Sequence, residues 1–285
     1  MKKGLFLLPF FLLCAGLAMS QTKDGYRLIW QDEFTEDGTP DAAKWGYEKG
    51  FVRNREVQWY QPQNAVCRDG VLVLTARSEQ RPNPDYDATS NHWGRRRKNI
   101  GVTSASVITK GKFSFLYGRL EVRARIPAAR GSWPAIWLLG EGRPWPECGE
   151  IDVMEFYERD GVRSILANAC WRGEKPADCE WDTEIVPFTH FTAKDSLWAT
   201  QFHLWRMDWD KDFVRIYLDD ELLNEIDLSL TVNGGKPGEF NPFRRPMYLL
   251  LNLAMGSSGG KIDEAALPIR YEIDYVRVYQ KEDVK

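Results

Sequence analysis

The sequence predicts an all-β protein, an antiparallel β-sandwich, and three observations lead to that prediction. Polar and apolar residues alternate strictly over residues 119–126, which is typical of a strand with one buried face. Short strand-like runs recur along the chain and are separated by turn dipeptides such as Asp69-Gly70. No segment has a helical pattern of apolar residues long enough to form a core helix, so the strands must form the core.

The strand-like runs follow one another without an internal repeat or a Ser/Pro-rich linker that would mark a second domain. In chain order they are residues 71–75, 102–109, 119–126, 204–209, 214–218, 248–253 and 271–279. We therefore expect a single domain over residues 21–285. Residues 80–99 form a long polar segment with several aromatic and basic residues, which predicts either a functional loop or a solvated flap.

The first 20 residues have the pattern of a signal peptide. Lys2 and Lys3 precede an almost continuous apolar run, and small residues come just before Gln21. We expect export to the periplasm or the extracellular space. Lipid attachment at Cys14 is a less favoured alternative, because the large Leu13 stands where a lipoprotein signal has a small residue. No other apolar run approaches the roughly 20 residues of a membrane span.

Composition narrows the function further. The formal net charge of the 285 residues is only −3, which disfavours a nucleic-acid partner. The chain has 12 Trp, 11 Tyr and 14 Phe, enough to suggest a surface that stacks on sugar rings. With 3 His and no close ligand spacing, a zinc enzyme is disfavoured and we expect no cofactor for catalysis. Cys170 and Cys179 could be bridged or free.

The acidic segment Gly149-Glu150-Ile151-Asp152-Val153-Met154-Glu155-Phe156 is the strongest functional signal. Its apolar residues favour a strand, and simple alternation would turn Glu155 away from the face that carries Glu150 and Asp152. A β-bulge at Val153 and Met154 would absorb one residue and return Glu155 to that face. We therefore predict a bulge and a row of three carboxylates.

Two carboxylates about 5–6 Å apart suit a retaining glycosidase. In that reaction Glu150 attacks the anomeric carbon, and Glu155 protonates the leaving oxygen and later activates water. Asp152 would hydrogen-bond the nucleophile and raise the pKa of the acid. Solvated acids or a calcium site are the structural alternatives. Trp133 and Trp137, four residues apart in an extended strand, would share a face and offer a platform for sugar stacking; packing in the core is the alternative for either one.

The sequence resembles glycoside hydrolase family 16 over nearly all of residues 21–285. The resemblance rests on segments at residues 30–34, 54–60, 117–119, 133–137 and 274–279 and above all on the Glu-x-Asp-x-x-Glu motif at Glu150. It implies a concanavalin-like jelly roll with an open concave cleft, in the laminarinase-like branch that has the extra residue. It assigns Glu150, Asp152 and Glu155 the roles given above.

The same resemblance implies further site residues. By it, Asn54, Trp133 and Trp137 would line the donor subsites. Trp171 is a further residue that we expect to bind substrate. Many members of the family also bind a structural calcium ion away from the cleft, and the matching positions here are Glu33, Gly70 and Asp274. The implied partner is a polysaccharide or glycan, and we expect a monomer.

Cys170 stands where laminarinases usually have His, beside the catalytic subsite. Laminarin or mixed-linkage β-glucan is the first expectation for the substrate of an endo-acting enzyme. The substitution leaves an endo-β-galactosidase, acting on galactans or mucin O-glycans, as the alternative, because a site built around one hydroxyl discriminates strongly. A transglycosylase and a non-catalytic lectin of the same fold are the further alternatives.

Overall fold

The computed structural model describes residues 22–282 apart from Asp24 and Pro237. The predicted signal peptide lies outside the described residues. The strands are β1 Thr22–Lys23, β2 Tyr26–Asp32, β3 Gly46–Tyr47, β4 Gln58–Tyr60, β5 Ala65–Arg68, β6 Val71–Pro82, β7 Asn99–Ser104, β8 Ser106–Ile108, β9 Gly118–Arg125, β10 Ser132–Gly140, β11 Glu150–Arg159, β12 Val162–Arg172, β13 Cys179–Pro187, β14 His203–Trp209, β15 Phe213–Leu218, β16 Glu221–Asp227, β17 Met247–Met255 and β18 Ile269–Lys281.

Helical structure among the described residues is limited to short segments. The α-helix α1 spans Thr189–Thr192. Single 3₁₀ turns lie at Pro62–Asn64, Trp198–Thr200, Asn233–Gly235, Pro242–Arg244, Ser257–Gly259 and Glu264–Ala266. None of these helices is long and apolar enough to cross a membrane.

Two sheets pack face to face, which confirms the predicted sandwich and its jelly-roll fold. One sheet has the order β16-β15-β14-β9-β18-β6-β7-β4, with β1 and β2 joined through β18 and β5 joined to β6. The other has the order β13-β12-β11-β10-β17-β8-β3. The strand-like runs of the sequence all fall on observed strands. The pairing differs from the antiparallel prediction at one place, because β4 runs parallel to β7.

The seven-stranded sheet has two apolar faces with different uses. Ile136 and Leu138 of β10 and Leu251 of β17 point into the large core between the sheets. The alternate residues, among them Trp137 and Tyr248, form a smaller apolar cluster on the outer face. Because successive strand residues face opposite sides, this second cluster is the floor of an outward-facing cleft.

Gly149 closes the turn that leads into β11. Its φ is +78°, a left-handed conformation that side chains rarely adopt, and a Cβ added there would lie 2.6 Å from Pro242 Cβ. Gly111 has a similar φ of +70° but has nothing within 4 Å of the corresponding position. The two glycines therefore share the conformational requirement and differ in the available space.

We expect Gly149→Ala to lower the free energy of unfolding by roughly 3 kcal/mol, since left-handed strain of about 1–2 kcal/mol adds to overpacking. Gly111→Ala should lower the free energy of unfolding by the left-handed strain alone, about 1–2 kcal/mol. Urea denaturation of both variants measures the difference. Equal losses at the two positions would show that the contact with Pro242 is unimportant.

Candidate active site

Strand β11 contains the predicted bulge. Asp152 pairs with Asn168 of β12, and the next paired residue of β11 is Glu155, opposite Leu166. Two residues of β11, Val153 and Met154, therefore stand where β12 has one. Both are fully buried in the core between the sheets. The extra residue is absorbed on the apolar side, and Glu155 returns to the outer face, as the sequence predicted.

The three carboxylates form a continuous row on that face. Glu150 and Asp152 are hydrogen-bonded to each other through their side chains. Asn168 Nδ2 then donates to Asp152 Oδ2 at 3.3 Å and to Glu155 Oε2 at 3.1 Å. Asp152 is 1% exposed, whereas Glu150 and Glu155 keep an accessible edge. The row is thus linked from end to end, and its two outer members face solvent.

A cavity of about 620 Å³ lies over the row, with Glu150 and Glu155 in its lining. Its floor comes from β10 and β17, and one rim comes from Arg53, Asn54, Glu56, Ser257 and Ser258. A cleft of this size, with apolar walls and a few converging polar groups, is typical of a ligand site. The candidate catalytic residues therefore lie where a substrate can reach them.

Trp133 and Trp137 both line the cavity, as the sequence predicted, but only their edges are accessible. They are 9% and 7% exposed. Trp133 Nε1 donates to Glu155 Oε1 at 2.9 Å, and Trp137 Nε1 donates to Asn252 Oδ1 at 2.6 Å. Each indole thus combines an apolar surface for a sugar with a hydrogen bond that fixes its own orientation.

Two other tryptophans form the exposed walls of the cleft. Trp145 is 51% exposed, and its Nε1 donates to Glu150 Oε2 at 2.8 Å. Trp181 of β13 is 46% exposed and lines the cavity. Trp181 stands between Glu180 and Asp182 in the sequence, but a polar setting alone does not identify a wall of the cleft, since Trp198 also follows polar residues and is buried. The sequence analysis did not place Trp145 or Trp181 in the site.

Asn54 lies on the rim, as expected, beside residues that the sequence analysis missed. Its Nδ2 donates to Glu56 Oε1 at 3.3 Å, and Gln58 Nε2 donates to the other oxygen of Glu56 at 2.6 Å. Arg53 lies over the Trp137 ring, 4.8 Å from its centroid, and is paired with Glu48. The rim therefore carries the charge of Arg53 and the amide of Asn54 beside the cleft floor.

Arg97 fastens the predicted long loop to this rim. Its guanidinium packs against the rings of both Phe51 and Trp93, 4.7 and 4.8 Å from their centroids. Its Nη1 donates to the carbonyls of Glu56 and Val57 at 2.8 and 3.2 Å, and Nη2 donates to that of Arg55 at 3.0 Å. No residue of 80–99 lines the cavity, so this loop supports the rim from behind rather than forming a wall.

Trp171 does not lie in the cleft, contrary to the sequence prediction. On β12 the cleft face contains Asn168 and Cys170, and alternation turns Trp171 toward the core. There its ring packs edge-on against Phe243 with the centroids 6.3 Å apart. The side chain is part of the packing beneath the sheet.

Two of the three residues expected to bind calcium, Glu33 and Asp274, have arginine partners in the structure. Arg277 donates two hydrogen bonds to Glu33, at 2.7 and 2.8 Å, and Arg123 donates to Asp274 at 2.5 Å. Each carboxylate therefore has a positively charged partner, and a ligand from Gly70 would be its backbone carbonyl. In the described part of the chain no group of three or more His, Cys, Asp or Glu side chains is arranged to hold a metal ion.

Burial raises the pKa of all three acids in the row. The pKa of Glu150 rises to about 7, mainly through desolvation, against hydrogen bonds from Asp152 and Trp145. The pKa of Glu155 rises to about 8, through desolvation and then the charge of Glu150. Desolvation and both neighbouring charges raise the pKa of Asp152. The row of acids therefore retains at least one proton near neutral pH.

A solvent-facing row of protonatable carboxylates between tryptophan walls defines an enzyme that cleaves carbohydrates. The chain belongs to a known family of such enzymes, since the sequence model of Glycosyl hydrolases family 16 matches residues 53–277. This confirms the resemblance found in the sequence.

Relatives of the chain support the same assignment. A beta-glucanase of Rhodothermus marinus is 31% identical over 98% of this chain and 95% of that protein. The laminarinase catalytic domain from Thermotoga maritima MSB8 is 30% identical with a TM-score of 0.74, covering 91% of this chain and 100% of that one.

A third similar protein is a solved structure described by the words "Prominent members of the human gut microbiota express endo-acting O-glycanases to initiate mucin breakdown". It is 34% identical with a TM-score of 0.82, and the match covers 93% of this chain and 94% of that one. The chain is therefore similar to enzymes named for different substrates.

Removing the charge of Glu150 should lower the pKa of Glu155, because the repulsion that helps to raise it disappears. In Glu150→Gln we expect a fall of about 1 unit or more from the value of about 8. Titration followed by NMR of ¹³C-labelled glutamate carboxyls measures it. Glu184→Gln, an exposed change on β13, is the control and should leave this pKa in place. A pKa of Glu155 that stays constant or rises in Glu150→Gln would contradict the coupling.

Arg97→Met should weaken substrate binding, because Arg97 no longer holds the rim through its hydrogen bonds to three carbonyls. The hydrogen bonds of Glu150, Asp152 and Glu155 should be unchanged. We expect KM to rise about 10-fold and kcat to stay within about 3-fold. Arg96→Met, an exposed change in the same loop, should leave both constants unaltered. A fall in kcat with an unchanged KM would show that the loop acts on the chemistry instead.

Proposed function

We propose that this family 16 enzyme hydrolyses internal β-linkages of a polysaccharide or glycan with retention of configuration. Glu150 is the nucleophile, Glu155 the acid and base, and Asp152 the assistant of the nucleophile. The observation that carries the proposal is the bulge at Val153 and Met154, since it alone brings Glu155 onto the face of the other two acids.

The reaction proceeds in two displacements. Glu150 attacks the anomeric carbon while protonated Glu155 donates its proton to the glycosidic oxygen, and the carbon–oxygen bond to the leaving sugar breaks. The product is a glycosyl ester of Glu150. Ionised Glu155 then takes a proton from water, the resulting hydroxide attacks the same carbon, and the ester bond breaks. The enzyme returns to its starting protonation state.

The electrostatics of the row suit the change of role at Glu155. In the free enzyme the charge of Glu150 raises the pKa of Glu155 and keeps its proton in place. Esterification of Glu150 removes that charge, so the pKa of Glu155 falls in the intermediate. A group that has just given up its proton then remains ionised and acts as the base.

The pH dependence of kcat/KM follows from these assignments. Activity falls at acid pH as Glu150 gains a proton and falls at alkaline pH as Glu155 loses one. Because the pKa of Glu155 is about 8 and that of Glu150 about 7, a bell-shaped profile is expected with its alkaline limb governed by Glu155.

The substrate we favour is laminarin or mixed-linkage β-glucan, which agrees with the names of the glucanase and laminarinase relatives. A galactose-containing chain, such as a mucin O-glycan, is the second candidate. It is supported by the similarity to the O-glycanase structure and by Cys170. That residue lies opposite Glu150 on β12 and is fully buried, so the polar imidazole usual in laminarinases is replaced by a small thiol.

Export of the mature chain from Gln21 and action as a monomer are further parts of the proposal. They rest on the pattern of residues 1–20 and on the cleft being formed within one chain. Nucleic acid is not among the proposed partners, because the net charge of −3 offers no basic field.

Glu150→Ser should reduce turnover at least about 10³-fold while the fold and substrate binding persist, because only the nucleophile is removed. Purified protein is incubated with laminarin, mixed-linkage glucan, agar-type galactan and mucin glycans, and products are read by mass. Proton NMR identifies the first anomer released, which should be β. Glu184→Gln should retain full activity.

The alternatives give different results in the same experiment. A lectin would bind a glycan without releasing products, and a transglycosylase would give longer products when an acceptor is added. Substantial hydrolysis by Glu150→Ser would reject Glu150 as the nucleophile, and an α-anomer appearing first would reject retention.

A further inference from the structure

Asn168 has an unusual position, because one side-chain amide contacts two of the three acids. Both hydrogens of Nδ2 are used, one toward Asp152 Oδ2 and one toward Glu155 Oε2. The side chain is 2% exposed and belongs to β12, the strand that pairs across the bulge. Neither the sequence analysis nor the proposed reaction gives this residue a role.

The orientation of the amide has a cost. Asn168 Oδ1 is buried and has no hydrogen-bond partner among the described residues. An unpaired buried carbonyl is unfavourable, so a structural asparagine would be expected to satisfy both ends of its amide. Here the nitrogen end is doubly satisfied by the acids and the oxygen end is not satisfied at all. The contacts with the acids thus determine the orientation.

The same contacts fix the acid in space. Trp133 Nε1 holds Oε1 of Glu155, and Asn168 Nδ2 holds Oε2. Two N–H donors from different strands restrict rotation of the carboxyl about its terminal bond. A carboxyl held in this way presents its proton in one direction, which general acid catalysis requires.

We propose that Asn168 is a positioning residue of the cleavage reaction, whose amide holds the Glu155 carboxyl in register with Asp152 and so aims the proton at the leaving oxygen. The inference rests on the proposed function. Strand β12 would then position the acid through Asn168, in addition to pairing with β11. The amide also stabilises the ionised form of Glu155, and its removal raises the pKa of that group.

The first test compares Asn168→Leu, which keeps the branched shape of the side chain and removes the amide, with Asn224→Leu. Asn224 is the matched control, because its Nδ2 also donates to β12, at the Ala167 carbonyl at 3.0 Å, and to Asp182 Oδ1 at 2.9 Å, but does not touch Glu150, Asp152 or Glu155. We expect the alkaline limb of kcat/KM to move up by about 1 pH unit in Asn168→Leu. Asn224→Leu should lower Tm without moving that limb.

The second readout is the leaving group. Asn168→Leu should lose about 10-fold or more in kcat/KM on the polysaccharide, whose leaving oxygen needs the proton. On the matching oligosaccharide with a dinitrophenyl leaving group the loss should stay within about 3-fold, since kcat/KM reports bond cleavage and this group departs without a proton. A merely structural role would lower both values equally.

Asn168→Asp keeps the shape of the side chain and covers the case in which the leucine variant does not fold. It replaces a donor with a carboxyl, so the alkaline limb should also move up, and further than in the leucine variant. Wild-type protein that cleaves nothing in the panel overturns the proposed function. Wild-type cleavage with Asn168 variants that behave like Asn224→Leu overturns this inference alone.

Discussion

The extra residue in β11 is the constraint on which the whole site depends. A strand alternates with a period of two, so Glu150 and Glu155, five positions apart, belong on opposite faces unless one residue is absorbed. The bulge absorbs it by turning Val153 and Met154 both into the core. Because those two side chains are apolar, the irregularity is accommodated at the one place where two consecutive buried residues cost little, and a charged side chain avoids the core.

The three acids must retain a proton for catalysis, and the hydrogen-bond donors around them suit that need. Three buried carboxylates repel one another, and a nearby arginine could stabilise them all as anions. The groups that contact the row are instead the neutral N–H donors of Trp133, Trp145 and Asn168. The cation on the rim, Arg53, is paired with Glu48. These donors favour the ionised carboxylates, and the charge of Arg53 does the same for Glu150, but desolvation outweighs them and still raises the pKa of Glu150 and Glu155.

Sequence reasoning succeeded where the signal was local. Alternation over residues 119–126 and the apolar pair inside the acidic segment were enough for the sandwich, the bulge and the row. It failed where the answer depended on partners distant in sequence. The roles of Asn168 and Arg97 follow from pairing across strands and loops. Trp171 was misplaced because it stands one residue beyond Cys170, and a shift of one residue reverses the face. The expected calcium ligands Glu33 and Asp274 proved to be the partners of arginines.

The division between strands and loops explains how one fold acts on different glycans. The acids and their donors Trp133 and Asn168 lie on the paired central strands β10, β11 and β12, where register fixes position. The walls come from elements with fewer constraints: Asn54 on a loop and Trp181 on the edge strand β13. A change in a wall residue alters which sugar hydroxyls the enzyme contacts and leaves the distances between the acids unchanged. Substrate choice is therefore free to diverge while the double displacement is retained.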